Sequence, residues 1–284
     1  MEFTQEKYSL NSEQQNRPDS EAGTSVASRL FALLRALGDG SPQGERVSQL
    51  AGRMGLSQPT THRLLRSLVN EGMVEQCTRS KRYRLSLAFF ALAARAGQAG
   101  NLREVVRPSL LRLSASLGDS LFLLARAGFD AVCLDRSEGP YPIRTFTGDV
   151  GGRIALGVGQ GSLAILAFLP DEEREEVIRY NLPRLRDIHH YDEVSLRLEL
   201  DNVRALGYAG RNTGALEGMA GVAVPILTAE GHAVAALSVA TITDRLGPPR
   251  MSMVVELLKR EASAIAGRIN PFDPALRRPS QVFG

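Results

Sequence analysis

The sequence predicts an α+β chain of two domains: a small helical domain closed by a hairpin, then a larger one whose helices group around a mainly antiparallel sheet. Three observations carry this. Apolar residues recur at helical spacing in three short stretches between residues 26 and 70, followed by two short strand-like runs. Further along, apolar runs come in pairs split by turn residues, with helix-spaced stretches grouped between the pairs. Charge is also segregated. The net charge is +3, yet residues 26–100 hold eleven basic against four acidic side chains, while residues 1–25 balance to −3 and the remaining 184 to −1. A basic segment beside a neutral one is expected of a polyanion-binding module joined to a domain with another task.

The 284 residues, 43% hydrophobic and 23% charged, suffice for two buried cores in a soluble globular protein. Residues 1–23 are polar and without periodicity, a disordered tail with no signal-like apolar stretch. No apolar run approaches the roughly 20 residues of a membrane span. Cys77 and Cys133 are the only cysteines, too few for a disulfide framework. The expectation is a cytoplasmic protein without membrane contact.

The first domain is placed at residues 24–87. Val26, Leu30, Leu33, Leu34 and Leu37 share one face of a first helix, which "GDGSPQGE" ends. Val47, Leu50, Ala51 and Met54 mark a second, stopped by Gly55 in a C-terminal cap position. Ser57 is the N-cap of a third, with Pro59 tolerated in its first turn. There Thr61, Leu64, Leu65, Leu68 and Val69 point one way, and Thr60, Arg63, Arg66, Ser67 and Asn70 the other, with Gln58 and His62 towards the flank. "MVEQ" and "RYRLSL", split by "CTRSK", read as a hairpin with a basic tip.

Helix, helix–turn–helix and basic hairpin together make a winged helix-turn-helix. The polar side of the third helix is then free to enter a DNA major groove. Arg63 and Arg66 have the reach and donor geometry for guanine edges or phosphates, and Thr60, Ser67 and Asn70 for shorter contacts. Ser57 and the amides at the helix start can take a phosphate, and Gln58 is a further candidate for DNA contact. For His62, DNA contact and helix packing are both open. Arg79, Lys81 and Arg82 on the hairpin tip would meet backbone phosphates and set affinity.

"LAFFALAARAGQAG" (87–100) is helical and more apolar than a free linker needs, and a linker helix is placed at 88–101. The second domain is placed at 102–272, before a tail at 273–284. "NLREVVRPSLLRLSASLG" reads as a helix broken or kinked at Pro108; "DSLFLLAR", "DAVCLDRS" and "IRTFTG" as strands; "GQGSLAILAFLP" as a buried helix. "DEEREEVIRY", with Asp171 as N-cap, and "DEVSLRLELDNVRAL", closed by Gly207, are further helices. "YAGRNTG", "AGVAVPIL" and "AVAALSVATI" read as strands and "MSMVVELLKREASAIAGRI" as the last helix. The glycines before the buried helix would expose the amides of Gln160, Gly161 and Ser162 to a small carboxylate, with Arg211 and Ser238 completing a pocket. The alternative is a tight turn that merely permits close packing. No catalytic or metal-binding constellation is present in the sequence, and no cofactor is expected: the four histidines are scattered, and Ser162 lacks the frame of a nucleophile elbow.

From about Gly23 to Phe272 the chain resembles an IclR-family transcriptional regulator. The resemblance rests on "VASRLFALLRAL", "VSQLAGRMGLSQPTTHRLLRSLVNEGMVEQ" and "RYRLSLA", then on "LGVGQGSLAILAFLP" and "RALGYAGRNTGALEGMAGVAVPILTAEGHAVAALSVA". It implies a winged-helix domain, a linker helix and a GAF-like effector domain, assembled as homodimers or dimers of dimers on partly palindromic operators. It also implies a small organic or aromatic acid as effector, acting on a repressor or activator. Gln160, Gly161, Arg211, Gly221, Ser238 and Ala240 fall where the family lines its effector pocket. Members often carry "LH" and then "GKA" where this chain has Leu156–Gly157 and "GQGSLA", and some carry Cys or Ser where it has Gly221 and Ala240. These departures imply a roomier, less polar wall suited to a larger acid. Two other readings of the sequence are open, a ligand-independent DNA-binding or dimerisation protein and an enzyme fused to a DNA-binding domain.

Overall fold

A computed structural model of the chain describes residues 25–41, 43–89, 91–92, 102–141, 149–189, 192–210 and 218–269. The chain divides into two compact units, Met1–Gln98 and Ala99–Gly284. The expected tails at 1–23 and 273–284, the strand at 143–148 and Arg211 lie outside the described residues. So does most of the linker helix, of which 88–89 and 91–92 are described and helical.

In the first unit, α1 (Val26–Gly38), α2 (Val47–Met54) and α3 (Gln58–Asn70) pack around wholly buried Leu33, Leu50 and Leu65. Each such leucine contributes about 1.5–3 kcal/mol by leaving water. Val26, expected on the buried face of α1, is 63% exposed, because the first residue of the helix overhangs the three-helix core. Gly55 takes the left-handed conformation at φ 62°, and the amides of Gly55 and Leu56 cap the end of α2 on the carbonyls of Gly52 and Ala51. The Ser57 side chain accepts from the Thr60 amide at 3.3 Å and so starts α3. Strands β1 (Val74–Gln76) and β2 (Tyr83–Leu85) pair antiparallel, Val74 opposite Leu85, and Glu45 exchanges backbone bonds with Tyr83 on the far side.

The second unit is built on a five-stranded antiparallel sheet in the order β5-β4-β3-β7-β6. Its elements are α4 (Leu102–Leu117), β3 (Ser120–Ala127), β4 (Asp130–Ser137), β5 (Arg153–Ala155), α5 (Gly159–Ala167), α6 (Asp171–His189), α7 (Glu193–Leu206), β6 (Met219–Leu227), β7 (Ala233–Ile242) and α8 (Pro248–Ala266). Strand alternation sorts its side chains into two cores. Leu121, Leu123, Val222, Val224 and Leu237 meet α4 and α8, while Phe122, Leu124, Ala223 and Ala236 meet α5, which α7 also packs against.

Five sequence expectations change here. The helix at Leu102, expected to be broken or kinked at Pro108, is unbroken through that exposed residue, where the Glu104 carbonyl loses its amide donor. Strand β5 is additional to the strands expected. Tyr208–Gly210 contributes a single bridge, Ala209 to Ala223, rather than a strand. Asp171 is the first residue of α6 and not its cap, since the Arg174 amide bonds the Pro170 carbonyl at 2.9 Å. That helix also runs on to His189, because Asn181 and Leu185 are buried: the Asn181 amide donates to the carbonyls of Phe129 at 2.7 Å and Leu156 at 3.0 Å.

The buried carboxylates of the second unit all sit on arginines. Asp119, fully buried, accepts from Thr241 at 2.9 Å, Arg245 at 3.0 Å and Arg250 at 2.7 Å. The same two arginines hold the Leu117 carbonyl at the end of α4. Asp135 is held by Arg107 at 2.9 Å and Arg103 at 3.6 Å, both from the first turns of α4. Helix α4 is thereby fixed to the sheet at both ends by charge as well as by its leucines.

Candidate DNA-reading helix and small-molecule site

Helix α3 shows two chemically different faces. Thr61, Leu64, Leu65 and Leu68 are buried, and the Thr61 hydroxyl is satisfied by the Ser57 carbonyl at 3.1 Å. The side chains of Gln58, His62, Arg63, Arg66 and Asn70 are exposed and make no hydrogen bond or ion pair with any described residue. The smaller polar groups are already engaged. Ser57 and Thr60 hydrogen-bond each other at 2.9 Å, and the Ser67 hydroxyl returns to the Arg63 carbonyl at 3.3 Å. These three belong first to the helix and its cap.

The hairpin separates its basic residues in the same way. Arg79 and Lys81 are exposed at the tip, Lys81 in the left-handed region at φ 57°. Arg82 differs: half-buried, it donates to the Gly44 carbonyl at 2.8 Å and so ties the hairpin to the loop before α2. Arg84, a basic residue outside the predicted DNA contacts, is exposed beside them and paired with Glu75. Cys77 at the base of the tip is exposed, and hydrogen bonds from Ser80 lower its thiol to about 7. Cys133, in contrast, is buried and pushed up to about 11.

In the second unit the fold brings together five of the seven residues expected around an effector. Gly221 and Ala240 lie directly opposite each other on β6 and β7, and Ser238 lies opposite Ala223 and Phe122. The first turn of α5 rests on this floor. A Cβ on Gly161 would stand 3.4 Å from the Ser238 Cβ, and one on Gly221 would stand 3.2 Å from the Gln160 Cγ. Glycine at both positions eases so close an approach of helix and sheet.

The Ser162 hydroxyl accepts from the Gly157 amide at 3.1 Å and donates to the Val158 carbonyl at 2.5 Å. Fully buried, it closes the turn into α5 and offers nothing to a ligand. A cavity of about 420 Å³ opens at the other end of α5, lined by Phe168, Leu169, Glu172, Arg204, Glu230 and His232. Among the described residues, no three His, Cys, Asp or Glu side chains come together to hold a metal, and no helix is long and apolar enough to cross a membrane.

The profile described as "Bacterial transcriptional regulator IclR C-terminal" matches residues 95–267, and the "IclR helix-turn-helix domain" profile matches residues 26–77. The chain belongs to the IclR family. It is 27% identical over 266 residues to the HTH-type transcriptional regulator KdgR of Escherichia coli, covering 93% of this chain and 98% of that one. Among solved structures, an IclR homolog from Microbacterium hydrocarbonoxydans, complexed with 4-hydroxybenzoate, is 26% identical with a TM-score of 0.71, covering 86% of this chain and 98% of its own. An IclR-type regulator from Alicyclobacillus acidocaldarius shares the fold at a TM-score of 0.72 and 23% identity, covering 85% and 97% of the two chains. The protein is a transcriptional regulator of the IclR family.

Proposed function

We propose that this IclR-family member binds a specific, partly palindromic operator as a homodimer or dimer of dimers, and that a small organic or aromatic acid in its second domain modulates that binding. Residues 24–87 form the DNA-binding domain, 88–101 the linker and 102–272 the effector domain. The observation that carries the reading is the outer face of α3, where Arg63, Arg66, Gln58, His62 and Asn70 stand exposed on a helix rigidly seated by its leucines. Guanidinium groups fixed on one face of a docked helix suit guanine edges. Arg79 and Lys81 serve phosphates. Ser57, Thr60 and Ser67 hold the geometry, and their hydroxyls reach DNA as secondary contacts.

The acid reading is supported by the small-residue floor under the α5 N-terminus, built from Gly221, Ser238 and Ala240, with Gln160 and Gly161 above it. The aromatic acid bound by the Microbacterium relative supports the ligand class. Helix-terminal amides and the macrodipole favour an anionic or polar group at that end. The reading is tested by selecting fragmented genomic DNA on the purified protein at near-physiological salt and sequencing what is retained. A few intergenic fragments sharing a short two-fold site support it. Retention with no shared site contradicts it.

A further inference from the structure

One strand of the second unit changes parity beside the proposed effector site. Ala131 and Cys133 on β4 face α5, so strict alternation would place Asp135 there too and turn Arg136 away. A bulge at Leu134 reverses this. Asp135 pairs with Leu123 on the α4 face, and Arg136 pairs with Phe122 on the α5 face. Bulges re-aim side chains in this way next to functional sites.

Arg136 consequently shares a row across the sheet with Phe122, Ser238 and Ala223. Two strand spacings, about 10 Å, separate it from Ser238. Its guanidinium lies 5.9 Å from the centroid of the Phe122 ring, and its side chain is only 17% exposed. It is paired with Glu138, and with Asp149 at 2.8 Å. Among the described residues it is the only basic side chain the sheet carries on this face at the end where α5 begins.

We propose that Arg136 takes the acid group of the effector, with its exposed partners Asp149 and Glu138 giving way to it. The inference rests on the reading of the second domain as a small-acid site. A guanidinium offers a carboxylate two parallel donors. The buried ring of Phe122 at its side lowers the local dielectric and strengthens such a pair. Asp149, by contrast, is 95% exposed, and a pair with so solvated a partner is weak and exchangeable. An acid lying across Phe122 would reach Arg136 at one end and the first turn of α5 at the other.

The test titrates the full chain with 4-hydroxybenzoate, further ring and short-chain carboxylic acids, and the amide of each, by thermal shift and calorimetry. The wild type is expected to bind at least one acid well above its amide. Arg136→Gln should lose about tenfold or more of that affinity and shed the preference for acid over amide. Asp149→Asn, at an exposed position that leaves folding intact, should bind the acid roughly threefold to fivefold tighter, because a competitor for Arg136 is gone. Unchanged acid binding in Arg136→Gln, or none tighter in Asp149→Asn, overturns the assignment while leaving the small-acid reading in place. A wild type indifferent to every acid overturns both.

Discussion

Gly52 and Gly161 both sit in helices, and helix propensity treats them alike: alanine at either should stabilise by up to about 1 kcal/mol. Their surroundings differ. A methyl at Gly52 meets nothing within 4 Å, so the gain stands. A methyl at Gly161 would lie 2.1 Å from Leu124 Cδ1 and 3.4 Å from the Ser238 Cβ. Leu124 is 3% exposed in the core beneath α5, so its side chain must take a new rotamer in filled space. Overpacking of this kind costs about 1–3 kcal/mol. Gly161→Ala is therefore expected to be neutral to about 2 kcal/mol destabilising, once propensity is set against overpacking. Calorimetry, following the transition of each unit separately, should show Gly52→Ala raising the melting temperature of the first unit. The second unit should fall by about 2–4 °C per kcal/mol lost. If Gly161→Ala raised the second transition as Gly52→Ala raises the first, the close seating of α5 on Leu124 and Ser238 would be wrong, and with it the geometry of the site.

Other outcomes follow from the same contacts. Arg82→Ala should destabilise the first unit by about 1–3 kcal/mol by orphaning the Gly44 carbonyl, as read by urea denaturation. Arg79→Ala should leave stability alone and lower the slope of DNA affinity against salt by about one. Cys77, exposed and with its thiol lowered to about 7, should be alkylated by iodoacetamide well before Cys133, which is buried and pushed up to about 11. Peptide mapping that found Cys133 modified first would contradict the burial assigned to β4. Asp119→Asn leaves Arg245 and Arg250 without their buried counter-charge and should cost about 3–5 kcal/mol, seen as an early-melting second unit.

Much of this was legible in the sequence, for local reasons. Helix α3 announces its N-cap at Ser57, its preceding left-handed glycine at Gly55 and its buried stripe, all within one short stretch. The run at 159–167 is apolar or small at nearly every position and is buried on all sides. What escaped notice depends on partners distant in the chain. Strand β5 is three residues long, too short for any period, and exists by pairing with Asp130–Val132. Helix α6 outruns its expected end because Asn181 finds two carbonyls, 52 and 25 residues away. Arg82 looks like any basic wing residue until Gly44, 38 residues earlier, comes beside it. Arg136 is hidden most thoroughly. The alternation that reveals strands points it to the wrong face, and only the inter-strand register exposes the bulge that corrects it.

The central claim, that α3 reads DNA sequence, is tested most directly by one comparison. Wild type and Arg63→Ala would be titrated, across a range of salt concentrations, against a selected genomic fragment and against an unrelated duplex. The account predicts a loss of about 1–3 kcal/mol on the selected fragment, with little change on the unrelated one and in the salt slope. An equal loss on both duplexes, with the slope reduced by about one, would make Arg63 a phosphate contact and contradict the reading of α3 as the helix that specifies the site.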